Sequence, residues 1–502
     1  MSKQIKDLLT ENKQLKTEIK ALATEHQKIK QQLQLLENNI DQKITIAIKK
    51  ATQTLTEQIN QLQTQNTKKD QEILHLKTQI NKNSTNSSKP PSTNNPYKKT
   101  IHNNREKTNR KTGAQPGHKG TTLTIPKNLD ELVKEGKAKH NIVNQTNGTE
   151  KYITKWTVDL EITIIYTEYR LPYPNTPTIS YGNNIKALTV LLTNNGLIAE
   201  DRLSDFFYDI SNQQITMSGA TIEKFNHTAA QNVDIEEIKQ DLLNGEVLHV
   251  DETISCCVER LEYDQMTPLI AEKTSFNVFV RTYSGATSTL LMVCPHKDDE
   301  GVVRDGVLES FGGILAHDHD TKYYKYSELH ATCGAHLSRD LKGLFESYNI
   351  LWADKFRRFY VGLNMYKECD VEMGCVCASY ARLLGFEGEY DGLLVEGESV
   401  LEGLYPKGLA FKELKCMLRR LRVFRNSYLL FLWDYWALFM NNLVERDLCH
   451  CKTKLKVSGC FRSWRGLECY ARIRSFLSTE TKRGHPLLPA VKTLFTKTPI
   501  TR

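Results

Sequence analysis

One stretch of the sequence decides the fold of this chain: Glu246–Cys257 reads EVLHVDETISCC. Its apolar part, Val247–Val250, gives way abruptly to Asp251 and Glu252. A short, β-branched run of this kind predicts a buried central strand with a carboxylate at its end. Burying a carboxylate costs free energy unless the group is paired or binds a metal. Taken alone, Asp251 is more simply a turn residue, so its meaning depends on whether other acids of the chain converge on it.

A second acid comes at the end of a later predicted strand. The order after Asp251 is strand, strand, helix and strand, predicted at Asn277–Thr282, Ser288–Val293, Asp299–Phe311 and Gly312–Asp318. The last of these reads GGILAHD, and its period of two places Ile314, Ala316 and Asp318 on one face. Asp320 lies just beyond and competes with Asp318 for the same role, and the sequence leaves this choice open.

A third acid, Glu445, lies in the stretch Asn441–Cys451, which reads NNLVERDLCHC. Asn441 and Asn442 are both candidate caps for a helix that carries Glu445. Basic residues surround this acid, as a site for a polyanion requires: Arg446, Lys452, Lys454, Lys456, Arg462 and Arg465.

Three converging carboxylates suit phosphoryl transfer, because two divalent cations held by shared acids activate the attacking oxygen and stabilise the leaving one. Mg²⁺ prefers oxygen ligands and keeps several waters, so three acids suffice when the substrate phosphate supplies the rest. Mn²⁺ is expected to substitute. Each acid alone is more simply a solvated or salt-bridged residue. The strand order, the three acids and the basic flanks together favour the metal site.

Composition sets broader limits. At 502 residues the chain has room for two or more domains, and 67 Lys+Arg against 59 Asp+Glu makes a polyanion partner plausible without showing it. No apolar run reaches the roughly 20 residues that span a bilayer, and the N-terminus is not signal-like. All 12 cysteines lie at or beyond Cys256 without paired CxxC motifs, which favours a reducing, cytoplasmic location.

Residues 1–82 predict a long helix with a heptad seam. Asn12 and His26 occupy positions on the same seam, and a buried Asn there commonly sets register and oligomer number. At roughly 120 Å the helix is too long to lie on a domain of its own chain, so we expect a coiled coil that joins protomers into a homo-oligomer. The apolar seam positions, in three- and four-residue steps, are Ile5, Leu8, Leu15, Ile19, Leu22, Ile29, Leu33, Leu36 and Ile40.

Residues 83–122 are rich in Ser, Asn, Pro and Gly, so they predict a linker. Their basic density suits contact with a phosphate backbone, although a merely soluble tail is an equally good interpretation of a charge run. From Lys89 to Lys119 the only acid is Glu106, and the basic residues are Lys89, Lys98, Lys99, Arg105, Lys107, Arg110, Lys111 and Lys119.

The next two regions differ in period. Alternating apolar and polar residues in 123–180 predict a small β-rich unit. Residues 181–240 have a helical period and predict three helices, the first stopped by Gly196 and the third capped by Ser218. A helix-turn-helix DNA reader and ordinary helical packing both remain open for this region.

These motifs together resemble the transposases of the insertion-sequence-66 family. The resemblance runs through nearly the whole chain, and HVDET followed by NNLVERDL and KVSGCFRS makes it specific. The matching motifs are Ser87–Ser92, Gly113–Gly120, Tyr181-Gly182, His249–Thr253, His317-Asp318, Cys333–Leu341, Glu389–Gly397, Asn441–Leu448 and Lys456–Ser463.

The resemblance implies an α/β architecture: an RNase H-like catalytic domain over 241–502, with a helical insertion at about 341–428. It implies that Asp251, Asp318 and Glu445 are the catalytic, metal-binding acids. The expected activity is metal-dependent cleavage at element ends followed by transfer of the 3′-hydroxyl to target DNA. Arg446, Lys454, Lys456 and Arg462, with Lys98, Lys99, Arg105, Arg110 and Lys111, are the expected DNA contacts.

Two other functions remain open: a decayed copy that binds DNA or regulates, and a nuclease of the same fold without strand joining. Accessory proteins of the element are possible partners, and the sequence does not indicate whether they are required. Many relatives carry zinc-binding CxxC pairs after the Gly113–Gly120 motif, whereas His140–Thr149 has no cysteine, so no zinc is predicted there. Cys333 and His336 are interpreted as packing or as contacts near the active site. The basic residues of 462–483 are either DNA contacts or a solvated helix face.

Overall fold

A computed structural model of the chain describes residues 2–83, 86–87, 123–143, 154–168, 179–258, 277–295 and 297–496. The chain divides into two compact units, one formed by 1–82 with 401–415 and the other by 83–400 with 416–502. The predicted basic contacts Lys98, Lys99, Arg105, Arg110 and Lys111 lie outside the described residues. No helix in the described ranges is long and apolar enough to cross a membrane.

The first unit is dominated by one helix, α1 (Ser2–Asn81), as the heptad pattern predicts. Its last turn is followed by Lys82, whose Nζ pairs with Glu413 Oε1 at 3.2 Å. The apolar seam of α1 is exposed to solvent, and Leu36 keeps 62 % of its surface accessible. An exposed apolar seam of this kind is the surface that a coiled coil buries.

The three helices predicted within 181–240 are present, and a fourth follows them. Ser218 caps the third of them, α5, as expected, because its hydroxyl accepts a hydrogen bond from the Thr221 amide at 3.3 Å. Apolar residues of these helices, such as Leu203 and Phe207, are buried in the main core. The helices that precede the sheet are α2 (Leu129–Lys134), α3 (Asn183–Asn194), α4 (Glu200–Ile210), α5 (Gly219–Gln231) and α6 (Ile235–Leu243).

The predicted β-rich unit at 123–180 is not found where this region is described, at 123–143, 154–168 and 179–180. Those segments contain the short helix α2 and no strand. The alternating residues are solvent-exposed, with Leu160 82 % and Ile165 78 % accessible. An alternating segment forms a strand when a partner strand completes the ladder, and none of the described segments of this region has such a partner.

A five-stranded sheet organises the second unit. Its order is β3-β2-β1-β4-β5, with β1, β2 and β3 antiparallel and β4 and β5 parallel to β1. The strand predictions from β1 to β4 therefore hold in order. The strands are β1 (Val247–Cys256), β2 (Asn277–Ser284), β3 (Thr289–Cys294), β4 (Ile314–His317) and β5 (Leu329–Thr332).

Strand β1 is longer than the sequence predicts. The apolar run was expected to end the strand at Asp251, but β1 continues to Cys256 because residues 249–256 pair with β2. On its other side, the parallel pairing with β4 stops at the pair Val250 and His317. Asp251 thus lies inside β1 yet at the end of the parallel ladder.

The sheet is covered by helices from both sequence halves. Leu248 and Leu315 from the strands are fully buried with Ile473 and Leu477 from a late helix. The predicted helix at 299–311 is split into α7 and a 3₁₀ turn, Leu308–Ser310. The remaining helices are α7 (Asp299–Asp305), α8 (Gly334–Tyr348), α9 (Leu351–Glu372), α10 (Tyr380–Glu402), α11 (Leu409–Val423), α12 (Arg425–Trp433), α13 (Asn442–Ser458), α14 (Trp464–Lys482) and α15 (Leu487–Thr493).

The stretch predicted as a helical insertion, at about 341–428, is helical, and its helices are α8 to α12. Buried side chains tie these helices to one another: the Trp352 indole donates to the Leu393 carbonyl at 2.6 Å, and the Tyr360 hydroxyl donates to the Tyr428 carbonyl at 2.8 Å. The insertion separates β5 from α13 in sequence, so the elements that flank it meet only through the tertiary fold.

Candidate active site

Two of the predicted acids lie side by side at the end of the parallel ladder. Val250 and His317 form the last pair of this ladder between β1 and β4, and the next residues are Asp251, within β1, and Asp318, just past the end of β4. Neighbouring strands lie about 4.8 Å apart. Because side chains alternate, both carboxylates belong to the face that also carries His249.

The third acid is brought to this face by the start of α13. Asn441 is buried, its Oδ1 lies 2.7 Å from His249 Nδ1, and its side-chain amide donates to the Val250 carbonyl at 3.2 Å. Glu445 follows in the first turn of α13. Asn441 was predicted as a candidate cap, and it does occupy the N-cap position, but its side chain bonds the sheet and not the helix amides.

The charges of the other two acids act on the carboxyl group of Asp251. Burial raises the pKa of Asp251 to about 7, and the charges of Asp318 and Glu445 add to this effect. Burial also raises the pKa of Asp318, against the opposing charge of Lys297. Carboxylates that repel one another in a half-buried site are stabilised by a cation between them.

None of the three acids forms an ion pair among the residues that the structure describes. Asp251 Oδ1 accepts the Glu252 amide at 2.7 Å, and Asp318 Oδ1 accepts the Asp320 amide at 3.2 Å. The Glu445 carboxylate takes part in no hydrogen bond or ion pair within the described chain. Oxygen ligands with free lone pairs are what Mg²⁺ binds, so the donor set fits such an ion.

Asp320, the competitor of Asp318, has a different environment. Its carboxylate pairs with Lys297 at 3.1 Å and with Lys322 at 3.5 Å, and it caps the 3₁₀ turn Thr321–Lys325. Burial works against ionisation here, but the two lysines outweigh it and lower the pKa of Asp320. Asp320 is therefore a neutralised, structural carboxylate, and Asp318 is the better ligand candidate.

Asp447, two residues after Glu445, is also fully engaged. Its Oδ2 accepts hydrogen bonds from Ser284 at 2.5 Å and Thr289 at 2.8 Å, and it pairs with Lys482 at 2.9 Å. These partners lie on β2, β3 and α14, so Asp447 fixes α13 against the sheet. On this helix, Glu445 therefore has no ion-pair partner among the described residues, whereas Asp447 anchors the helix to the sheet.

The opposite face of β1 carries a buried ionic network that the sequence did not suggest. Glu252 pairs with Arg281 at 3.3 Å and with Lys297 at 3.3 Å, and it also contacts Lys322. Arg281, fully buried, pairs with Asp305 at 2.6 Å. This network holds β1 and β2 together immediately beneath Asp251 and offsets the cost of each buried charge.

One basic residue near the acids stands out only in the structure. Lys452 is exposed on α13, and its charge acts directly on Asp251 and on His336. It lies seven residues after Glu445, which places both side chains on one helical face. The seven-residue spacing from Glu445 is visible in the sequence. Several other basic residues also follow Glu445, however, so the sequence alone does not single out Lys452.

The other predicted DNA contacts on this side fall into two groups. Arg446, Lys456 and Arg462 are at least partly exposed. Lys454 is half-buried, and its charge acts on Glu200, as does that of Arg462. Lys454 therefore faces the helix α4, whereas Arg446 and Lys456 remain available on the solvent side of α13.

Four of the late basic residues, Arg472, Arg474, Lys482 and Arg483, have structural partners within the chain. Arg472 donates to the Ala230 carbonyl at 2.9 Å, which joins α14 to the end of α5. The sequence of α14 alone does not identify hydrogen-bond acceptors that lie so far away along the chain. Further contacts of this kind pair Arg474 with Asn195, Lys482 with Asp447, and Arg483 with Glu237.

Cys333 and His336 lie beside Glu445. The thiol, an imidazole nitrogen and a carboxylate oxygen of these three residues lie within 4.8 Å of one another. A cavity of about 230 Å³ adjoins them and is lined also by Asp318, Arg420 and other residues. The predicted proximity of Cys333 and His336 to the active site agrees with this arrangement.

Comparison with known proteins adds two findings. The model of the Transposase IS66 family matches residues 179–469, which include every strand of the described residues and the helices α8 to α12. A family of unknown function (DUF6444) matches residues 2–124, which include α1 and the basic linker. No curated protein matches the chain.

Proposed function

This chain belongs to the IS66 family of transposases, and from that premise we propose that it cleaves DNA at the ends of an insertion element and joins the freed 3′-hydroxyl to target DNA. The catalytic acids in this proposal are Asp251, Asp318 and Glu445. The observation that carries it is their shared lack of ion-pair partners in the described chain, while Asp320 and Asp447 are both neutralised by lysines.

The sheet supports an RNase H-like catalytic domain. Three antiparallel strands continue into two parallel ones, and two acids follow the last residue pair of the central parallel ladder. Carboxyl ends of parallel strands are the usual place for binding sites in open sheets. The third acid comes from a helix that packs on β1 after a long insertion, which agrees with the proposed class.

The acids would hold divalent cations of the Mg²⁺ type, for which Mn²⁺ would substitute. When bound, such ions supply charge stabilisation to the attacking and leaving oxygens of a phosphoryl transfer. The raised pKa of Asp251 is consistent with this role, because a cation returns that carboxyl to its ionised form at neutral pH.

The protein's own contribution is positioning and charge. Asn441 holds the first turn of α13 against β1, which orients Glu445 toward the two aspartates. Lys452 provides a positive charge for the phosphate that enters the site. Because cleavage and joining are both transfers at phosphorus, one arrangement of residues serves both steps when water is exchanged for a 3′-hydroxyl.

DNA would be held outside this centre by accessible basic residues. Arg446, Lys456 and Arg462 lie on α13 and just beyond it, and Lys98, Lys99, Arg105, Arg110 and Lys111 would extend the contact along the backbone. Such contacts are sequence-independent and sensitive to salt.

Pairing of protomers would bring two element ends together. The exposed seam of α1 is the proposed joining surface, because its apolar positions have heptad spacing over most of the helix. A dimer formed in this way would hold two catalytic units on one DNA assembly.

The experiment is metal-dependent cleavage and joining of labelled DNA that carries the element's own ends. Wild type is compared with Asp251→Ala and Glu445→Ala, and DNA binding is measured in parallel. Products that require Mg²⁺ or Mn²⁺ and vanish in both variants, while binding persists, would support the proposal. Cleavage without strand-transfer products would identify a nuclease, and products that survive in either variant would refute the assignment.

A further inference from the structure

A mixed set of metal-binding atoms lies next to the three acids. Cys333 stands at the N-cap of α8, His336 lies one turn further along, and Glu445 approaches both from α13. Their ligand atoms are all within 4.8 Å of one another. A tetrahedral Zn²⁺ at its usual bond lengths separates ligand atoms by roughly 3.5 Å, so small side-chain rotations complete the set.

The sulfur of Cys333 is held as a metal thiolate would be. Its Sγ accepts the Asn441 amide at 3.4 Å, and the amides of Ala335 and His336 at the start of α8 also point to it. Amide donors at a helix N-terminus stabilise a thiolate. A bound cation would take the place of the thiol proton, which is released to solvent.

The imidazole of His336 has an unused nitrogen. Its Nδ1 is buried and makes no hydrogen bond within the described part of the chain. In the neutral imidazole one ring nitrogen carries no proton, and its lone pair can bind a metal. The adjoining cavity of about 230 Å³ has room for a water molecule as a fourth ligand.

We propose that Cys333, His336 and Glu445 form a second cation site, selective for thiolate-binding ions such as Zn²⁺, and that this site competes with the three-acid site for Glu445. Thiolate and imidazole select Zn²⁺ and Co²⁺ over Mg²⁺, which prefers oxygen. The competition rests on the proposed function, whereas the ion binding does not.

Cobalt absorption tests the binding directly. The full chain, stripped of metal, is titrated with Co²⁺, which gives a near-ultraviolet sulfur-to-cobalt band when a thiolate coordinates it. We expect this band in wild type and its loss in Cys333→Ser. Cys369→Ser, which alters an exposed cysteine on α9, should keep the band. His336→Gln and Glu445→Gln should each weaken Co²⁺ binding by at least about tenfold, because loss of a ligand costs no less than loss of a group that orients one.

Two results would overturn the site: no band in wild type, or a band of equal strength in Cys333→Ser. Should Cys333→Ser not fold, the affinity of His336→Gln decides the matter, because unchanged Co²⁺ binding there excludes the imidazole as a ligand. Folding is checked by circular dichroism for every variant.

Zinc inhibition tests the competition. In the Mg²⁺-dependent cleavage reaction, Zn²⁺ should inhibit wild type, and His336→Gln should require about tenfold more Zn²⁺ for the same inhibition, in line with its weaker metal binding. Equal inhibition of both proteins would contradict competition through this site. If the protein shows no cleavage at all, the proposed function fails, while the cobalt result still decides whether the metal site exists.

Discussion

The side-chain oxygen of Asn441 lies 2.7 Å from Nδ1 of His249, and both residues are 2 % exposed. An amide oxygen only accepts hydrogen bonds, so the imidazole Nδ1 carries the proton and donates it. Burial lowers the pKa of His249, which keeps the ring neutral. This contact joins β1, which carries Asp251, to the start of α13, which carries Glu445.

Asn441→Ala should therefore damage both stability and activity. It leaves the His249 N–H and the Val250 carbonyl without partners, which costs about 1–3 kcal/mol of unfolding free energy. It also frees the start of α13, and misplacement of Glu445 should lower the cleavage rate by about 100-fold. Urea unfolding and single-turnover cleavage measure the two effects.

The matched control is Asn442→Ala, which changes the next, exposed asparagine. Its stability should stay within about 0.5 kcal/mol of wild type, and its cleavage rate should be little changed. Equal losses in both variants would show that the contact with His249 has no special role.

The raised pKa of Asp251 predicts how stability depends on pH. The folded protein holds a proton on this carboxyl up to about pH 7, whereas the unfolded chain loses it near 3.8. Stability of the metal-free protein should therefore fall as the pH rises from about 4 to 7. Asp251→Asn should remove this loss, stabilising the protein at pH 8 by at most roughly 4 kcal/mol, and should have little effect at pH 4.

Thermal unfolding at both pH values, with and without Mg²⁺, checks this expectation. Mg²⁺ should raise the melting temperature of wild type at pH 8 more than that of Asp251→Asn. Glu328→Gln, at an exposed position, serves as the charge control. If the Asp251→Asn variant proves less stable than wild type at pH 8 without metal, ionisation of the buried Asp251 carboxyl does not destabilise the folded protein.

Lys452→Ala should weaken DNA binding in a manner that depends on salt. If Lys452 contacts a phosphate, the slope of log affinity against log salt should decrease by about 1. Lys407→Ala, an exposed lysine between α10 and α11, provides the comparison. Identical slopes for wild type and Lys452→Ala would remove Lys452 from the DNA interface.

Two neighbouring leucines test the coiled coil. Leu36 lies on the heptad seam and Leu35 does not, yet their exposures, 62 % and 66 %, are nearly equal. Leu36→Lys should weaken self-association by roughly 2 kcal/mol or more, since it places a charge where a leucine is buried, whereas Leu35→Lys should not. Sedimentation of both variants decides, and equal behaviour would exclude this seam.

Much of the candidate site can be predicted from local sequence. Asp251 and Asp318 are marked by short apolar runs that end in an acid, and the strand order between them is likewise a local pattern. The helix that bears Glu445 is also predicted from its own residues. Each of these predictions depends only on the spacing of apolar residues along the chain and on the residues that cap a helix.

The rest depends on contacts between distant segments. The length of β1 is set by its pairing with β2, and the neutralisation of Asp320 depends on Lys297 and Lys322. Asn441 gave the signal of a helix cap, but its side chain finds its partners on the sheet. Lys482 belongs to a basic run in sequence, yet in the fold it neutralises Asp447.

The most direct test of the three-acid site compares Asp318→Asn with Asp320→Asn in the Mg²⁺-dependent cleavage of element-end DNA. The two positions are two residues apart and carry the same group, but only Asp320 is neutralised by lysines. We expect a loss of about 100-fold or more for Asp318→Asn and a change of less than about tenfold for Asp320→Asn. A larger loss at Asp320, with Asp318→Asn still active, would show that Asp318 is not one of the catalytic acids.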